Sequence, residues 1–194
     1  MFKRIFLILL FLLPGIIGEI KAQNVGIKTN LLTDIAASPN LGIEVKLAPK
    51  WTLEVVGEIN DWDVNRHLWK HWFVQPEARF WFCDSFAGHF LGVHAITGQY
   101  NFGNISNGIN FLGSDFSQLS DYRFQGWAAG AGVAYGYDWI LAKHWNLEAE
   151  IGIGWIYTRY DQFSCYQCQK KVASNKPHNY FGLTKLALAI EYIF

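Results

Sequence analysis

The sequence predicts an all-β protein: an eight-stranded antiparallel up-and-down transmembrane β-barrel preceded by a cleavable signal peptide. Three observations carry that reading. Apolar and polar residues alternate with period two along nearly the whole chain beyond residue 22. The alternating stretches are separated by breaks that are short and long in turn, the pattern of strands joined by tight turns on one side of a membrane and by loops on the other. Charges within the stretches gather on one face, and the opposite face is apolar. Composition agrees, because 194 residues suit one domain, and 17% aromatic against 16% charged residues describes a chain that meets apolar surroundings.

The first element is the export signal. Lys3 and Arg4 give a basic start, residues 5–13 an apolar run, and Pro14 with Gly15 a break before Ile20, Lys21 and Ala22. Cleavage after Ala22 divides the chain into a signal peptide, 1–22, and an outer-membrane β-barrel, 23–194. An anchor helix is the alternative, but the apolar run falls short of the ~20 residues that a spanning helix needs. Removing Lys3, Arg4, Lys21 and Glu19 leaves a net charge of about −2, which gives no support for nucleic-acid binding.

Eight strands follow, at about 25–34, 40–47, 51–60, 71–82, 89–100, 122–139, 145–157 and 179–194. Residues 48–50, 83–85 and 141–144 read as short turns, and 101–121 and 158–178 as long loops. In the third strand Leu53, Val55 and Ile59 alternate with Glu54 and Glu58; in the seventh Leu147, Ala149, Ile151, Ile153 and Trp155 alternate with Glu148 and Glu150. With Lys28, Glu44, Lys46, Glu77, Arg79, Lys185 and Glu191, seven acids and four bases point one way. A soluble lipocalin-like barrel reverses this arrangement, so the charged face is assigned to a narrow interior and the apolar face to lipid. An eight-stranded interior is about wide enough to be filled by side chains, which favours a structural plug of ion pairs over a catalytic or conducting path.

The sixth strand contains GWAAGAGVAYG, 126–136. Its glycines miss the spacing of a nucleotide loop, and no helix pattern follows. Counted by two, Gly126, Ala128, Gly130, Gly132, Ala134 and Gly136 share one face, leaving room for long side chains from across the barrel. His67 and His71 have the spacing of helical metal ligands, but Leu68 stands where a zinc protease places Glu and the segment reads as a loop; no metal or cofactor is assigned. His94 is expected inside, hydrogen-bonded within the plug. Cys165 and Cys168 form C-x-x-C in the last loop and suit either a disulfide or free thiols, while Cys83 lies at the opposite end. At the end of the sequence, Leu188, Ile190, Tyr192 and Phe194 are expected to face lipid, and Tyr192 with Phe194 resembles the insertion signal of bacterial outer-membrane barrels.

The segments VQPEARFWFC (74–83), GHFLGVHAITGQYNFG (88–103) and NLLTD (30–34) resemble a family of small outer-membrane barrels from Bacteroidetes-type bacteria, catalogued as a domain of unknown function. The resemblance spans nearly the whole mature chain. It implies an eight-stranded fold similar to OmpA and OmpX, residence in the bacterial outer membrane, and in some cases a genomic setting near surface fimbriae; it brings no active site. Two function classes follow. One is a non-enzymatic barrel whose surface loops bind, adhere to or help assemble envelope components, a fimbrial protein among them, with Phe111, Phe116, Phe163 and Tyr166 as loop anchors. The other is a lipid-modifying enzyme, which needs Ser, His and a carboxylate brought together from Asp61, Asp63, His67, His71, Ser117, Ser120, Asp121 and His178. The sequence favours the first.

Overall fold

A computed structural model describes residues 25–64, 67–103, 110–111, 114–115, 122–164 and 170–194. The expected signal peptide, together with Phe116, Cys165, Tyr166 and Cys168, lies outside the described residues; for Phe111 the backbone alone is described.

Eight long antiparallel strands form one sheet that closes on itself. They are β1 (Val25–Asn30), β2 (Asn40–Ala48), β3 (Trp51–Val64), β4 (His67–Trp81), β5 (Gly88–Gly103), β8 (Arg123–Ile140), β9 (Trp145–Phe163) and β10 (Lys171–Ile193). Each pairs with the next long strand in sequence, and β1 closes the ring against β10, with Lys28 opposite Glu191. A short pair, β6 (Asn110–Phe111) and β7 (Ser114–Asp115), lies between β5 and β8.

Boundaries differ from the sequence reading in two ways, each for a physical reason. The first strand stops at Asn30, and residues 31–34 begin the helix α1 (Leu31–Ile35). Asn30 caps that helix by accepting from the Leu32 amide, and Asn40 binds back to Asn30, Thr33 and Asp34. Conversely, β3, β4, β9 and β10 run well past their expected ends. The segment around His67 and His71 is strand, not loop, and 158–163 pairs with 171–178 in a β9–β10 ladder interrupted by two register shifts. The faces of these extensions mix polar with apolar residues, so hydropathy loses its period while backbone pairing continues.

The wall is uneven in height. Register between β1 and β10 ends at Asn30 opposite Ala189, and above that level β10 pairs with β9 alone. Side chains complete the open edge: Asn30 donates to the Leu186 carbonyl and accepts from the Leu188 amide, and Gln75 reaches across to the carbonyl of Thr184. Thr184 is the extra residue where the β9–β10 register shifts, a bulge that turns its hydroxyl toward His94 at 2.8 Å.

The outer face carries Leu41, Ile43, Val55, Val93, Val133, Ile151 and Ile153, all exposed. Aromatic residues border this aliphatic band. Trp51, Phe82, Trp139, Trp145 and Phe194 lie near the short-turn end, and Trp72, Trp127, Trp155 and Phe181 lie toward the other. On β9 the two belts are represented by Trp145 and Trp155; at about 3.4 Å per residue and a strand tilt of ~40°, they stand ~26 Å apart along the barrel axis.

Candidate functional site

The interior divides into a filled lower half, at the short-turn end, and an open outer half. Register explains the lower half. Glu44, Glu54, Glu77 and His94 are direct neighbours across β2, β3, β4 and β5, and the row continues as Gly132 and Gly154 on β8 and β9. Like charges placed directly opposite repel. They are held by cations that reach over them from other positions.

Arg79 is the centre. Its Nε donates to Glu77 at 2.6 Å, Nη1 meets Glu44 at 2.6 Å and Glu148 at 2.7 Å, and Nη2 meets Glu54 and Glu150, each at 2.7 Å. The planar guanidinium, whose five donors point in fixed directions, suits five surrounding carboxylates where an ammonium does not. It also stacks on Phe90, 4.5 Å from the ring centre. Lys28 Nζ lies 2.5 Å from Glu44 and 2.8 Å from Glu54 and Glu148; Lys185 Nζ lies 2.8 Å from Glu54, 2.9 Å from Glu77 and 3.0 Å from Glu150. All these side chains are buried.

Small residues make the room. A Cβ on Gly136 overlaps the Phe90 ring, and one on Gly132 comes within 2.6 Å of His94 Nε2 and 2.8 Å of Thr184 Oγ1. The expected wall of small residues is therefore real, although His94, Thr184 and Phe90 occupy the space in front of those two glycines. Below the ions, Trp81 donates to Thr52 at 2.9 Å and packs on Phe90 at 4.7 Å. The turn after β4 folds Phe86 into the barrel end, where its carbonyl accepts from Asn146. Trp81, Phe86 and Phe90 are all buried and close this end.

Nine of the eleven expected lumen charges belong to this cluster: Lys28, Glu44, Glu54, Glu77, Arg79, Glu148, Glu150, Lys185 and Glu191. Lys46 does not. It is opposite Thr52, in the layer that Trp81 fills, and stays half-buried outside the ion pairs. Glu58 stands two inward positions above Glu54 on β3 and pairs with His71 at 2.8 Å instead. Sequence reasoning missed Asp138, although it continues the face of Gly132, Ala134 and Gly136 and is 2% exposed.

Above the cluster a cavity of about 200 Å³ reaches Phe73, Ile96, Thr184 and the α1 residue Thr33. Higher still the barrel opens into a cup of about 640 Å³, lined by Asn60, His71, Tyr100, Gln125, Tyr160 and Phe163 among others. Aromatic contacts shape this half: Trp69 stacks on Phe102 at 4.6 Å, Tyr100 on Phe102 at 5.2 Å, and Phe124 meets Tyr160 at 5.4 Å. Phe163 is a correction to the sequence reading: it is the last residue of β9, buried under the Arg123 guanidinium at 4.1 Å, and not a loop anchor. At the rim Asp61 pairs with Lys70 at 2.7 Å. Asp161 binds Lys171, Ser174 and the Asn175 amide at 2.7, 2.9 and 2.8 Å.

The residues considered for a hydrolytic triad were expected in three outer loops, and those described lie on strands instead. Asp61, Asp63, His67 and His71 lie on β3 and β4, His178 is on β10, and Ser117, Ser120 and Asp121 are outside the described residues. His71 is joined to Glu58, with its Nδ1 buried and lacking a hydrogen-bond partner. Tyr192 and Phe194 lie at the lower aromatic belt in edge-to-face contact at 5.0 Å, beside Trp145. Cys83 is exposed in the turn after β4.

No curated protein and no solved structure matches this chain. A family described as "Protein of unknown function (DUF3575)" matches residues 6–194, and the chain belongs to that family.

Proposed function

We propose that this protein is a bacterial outer-membrane barrel of OmpA-like architecture, exported by residues 1–22. Its outer cup and connecting loops bind or help assemble other envelope components, a fimbrial protein being one candidate partner. The observation that carries the membrane assignment is the inversion of polarity: buried ion pairs inside, exposed aliphatic residues outside, and aromatic belts ~26 Å apart, close to the ~25 Å apolar band of such barrels. Outer-membrane lipid is then the solvent of the outer face. The Asn30 and Gln75 hydrogen bonds favour this placement, because lipid supplies no partner for an open strand edge.

Binding is favoured over conduction by the filled lower half, and a cup of about 640 Å³ is within the size of small-molecule and peptide sites. The test is to replace 104–121 and 165–169 by short turns and to mutate Tyr100 and Tyr160 to Ala. These barrels are expected to remain in the outer-membrane fraction and to keep a heat-dependent gel shift, while envelope partners that cross-link to the wild-type cup are lost. Unchanged cross-linking by all variants contradicts the binding role.

The His71–Glu58 pair at the cup floor favours a second reading, a lipid-modifying enzyme. Turnover of purified outer-membrane lipids by wild type, abolished in His71→Gln with the fold intact, selects that reading.

A further inference from the structure

Three groups of three carboxylates meet in the lower half. Glu44, Glu54 and Glu148 gather around Lys28 and Arg79, and Glu54, Glu77 and Glu150 gather around Lys185 and Arg79. The third group, Asp138, Glu148 and Glu191, is different. Among the described residues no cationic nitrogen comes within hydrogen-bonding distance of Asp138 or Glu191; the nearest to Glu191 is Lys28 Nζ at 3.6 Å. Neither oxygen of Glu191 has a hydrogen-bond partner, nor has Asp138 Oδ1, and these side chains are 0% and 2% exposed. Asp138 Oδ2 accepts from Asn146, and Glu148 is engaged by Arg79 and Lys28.

Glu191 is held in this position against the adjacent strand β1. Its carboxylate lies over Gly26, where any Cβ collides with it. The two neighbouring carboxylate groups each enclose a side-chain cation, whereas the third leaves three buried carboxylate oxygens, two on Glu191 and one on Asp138, without a hydrogen-bond partner. Counted at full ionisation, seven carboxylates face Lys28, Arg79 and Lys185, a formal excess of four negative charges in a buried space.

We propose that Asp138, Glu148 and Glu191 bind a calcium ion. One oxygen from each lies within 4.8 Å of the others. Calcium accepts carboxylate oxygens in flexible geometry, whereas magnesium demands near-ideal octahedral geometry and keeps several of its waters, which a buried group of side chains does not accommodate. An all-oxygen set without imidazole or thiolate selects a hard cation over zinc. Asp138 is two residues from the end of β8 and Glu191 two from the end of β10, so the ion sits toward the short-turn end. There it ties β8, β9 and β10 together and takes up half of the excess negative charge.

The experiment uses the full mature barrel folded in detergent micelles and stripped with EDTA. Calcium chloride is expected to raise the thermal unfolding midpoint by several degrees beyond an ionic-strength match of sodium chloride, with a smaller rise for magnesium. Equilibrium dialysis with radioactive calcium is expected to find about one tightly bound ion per chain. Glu191→Gln and Asp138→Asn should each abolish the calcium shift, and Asp161→Asn at the cup rim should retain it. Wild type that neither binds calcium nor shifts overturns the proposal and leaves Glu191 and Asp138 sharing a proton. A calcium shift that survives in both variants places the ion elsewhere and overturns it equally. If Glu191→Gln does not fold, wild-type dialysis and Asp138→Asn still decide.

Discussion

The two halves of this barrel are built from the same ring of strands and differ in what fills them. In the lower half the walls stand at the level where Glu44, Glu54 and Glu77 are neighbours, and three cations with three aromatic rings occupy the lumen. In the outer half β1 and β2 have ended while β3, β4, β5, β8, β9 and β10 continue side by side, and the lumen holds a cup bordered by Tyr100, Tyr160 and His71. The difference teaches where stability and variation reside. Buried, mutually dependent ion pairs tolerate no single loss, whereas rim pairs such as Asp61 with Lys70 are solvated and each contributes little.

The largest way to break the comparison is Arg79→Ala. It removes the shared partner of five buried carboxylates and leaves them to Lys28 and Lys185 alone, and is expected to cost about 3–5 kcal/mol, read as a lowered urea midpoint in micelles. Lys171→Ala, which removes an exposed partner of Asp161, should shift the midpoint by less than ~0.5 kcal/mol. Equal effects of the two substitutions erase the distinction between the halves.

A smaller loss is expected from Gly136→Ala, because the new methyl must displace the Phe90 ring in a filled space. Overpacking of this kind costs about 1–3 kcal/mol. Gly57→Ala, where a Cβ meets nothing within 4 Å, serves as the control and should be near neutral.

Asn30→Ala tests the join between the halves. It removes the helix cap and both bonds to the free edge of β10, with an expected loss of about 1–3 kcal/mol and faster amide exchange at Leu188. Unchanged exchange there means that the wall is completed by something other than Asn30.

The smallest effect concerns pH at the outer tip. The hydrogen bond from Lys171, then those from the Asn175 amide and Ser174, hold the Asp161 carboxyl down to about 2. A depressed value of this sort adds order that is present above the ordinary Asp value of ~3.9 and disappears as pH falls through about 2. The Asn175 amide resonance should report that titration, while the unfolding midpoint of the barrel is insensitive to Asp161→Asn.

Much of this was legible in the sequence, for reasons that particular residues make plain. Strands such as β3 and the lower part of β9 alternate apolar with charged residues because one face meets ion pairs and the other does not, so their faces were readable from Leu53, Glu54 and Val55 alone. The outer extensions were not. Around Arg159, Asp161 and Lys176 the faces mix polar with apolar residues, and period two disappears although the ladder continues. NLLTD stood out as a motif, but its role needed Asn40 and Leu186, distant in sequence, to become visible. In the lumen, parity identified Glu148, Glu150, Arg79 and Lys185 as inward, yet could not separate Lys46 or Glu58 from the cluster. Height along the axis depends on register and on where Trp81 fills the bore. Asp138 was readable by extending the Gly132, Ala134 and Gly136 face by one more step.

The most direct test of a lipid-facing barrel with an open outer half is a nitroxide scan along β9, in a cysteine-free background reconstituted into bilayers. Labels at Leu147, Ala149, Ile151 and Ile153 should collide with dissolved oxygen and be shielded from a water-soluble nickel complex, and the preference should reverse at Arg159 and Asp161. Nickel access at Ile151 and Ile153 equal to that at Asp161 places the outer face in water and contradicts the account.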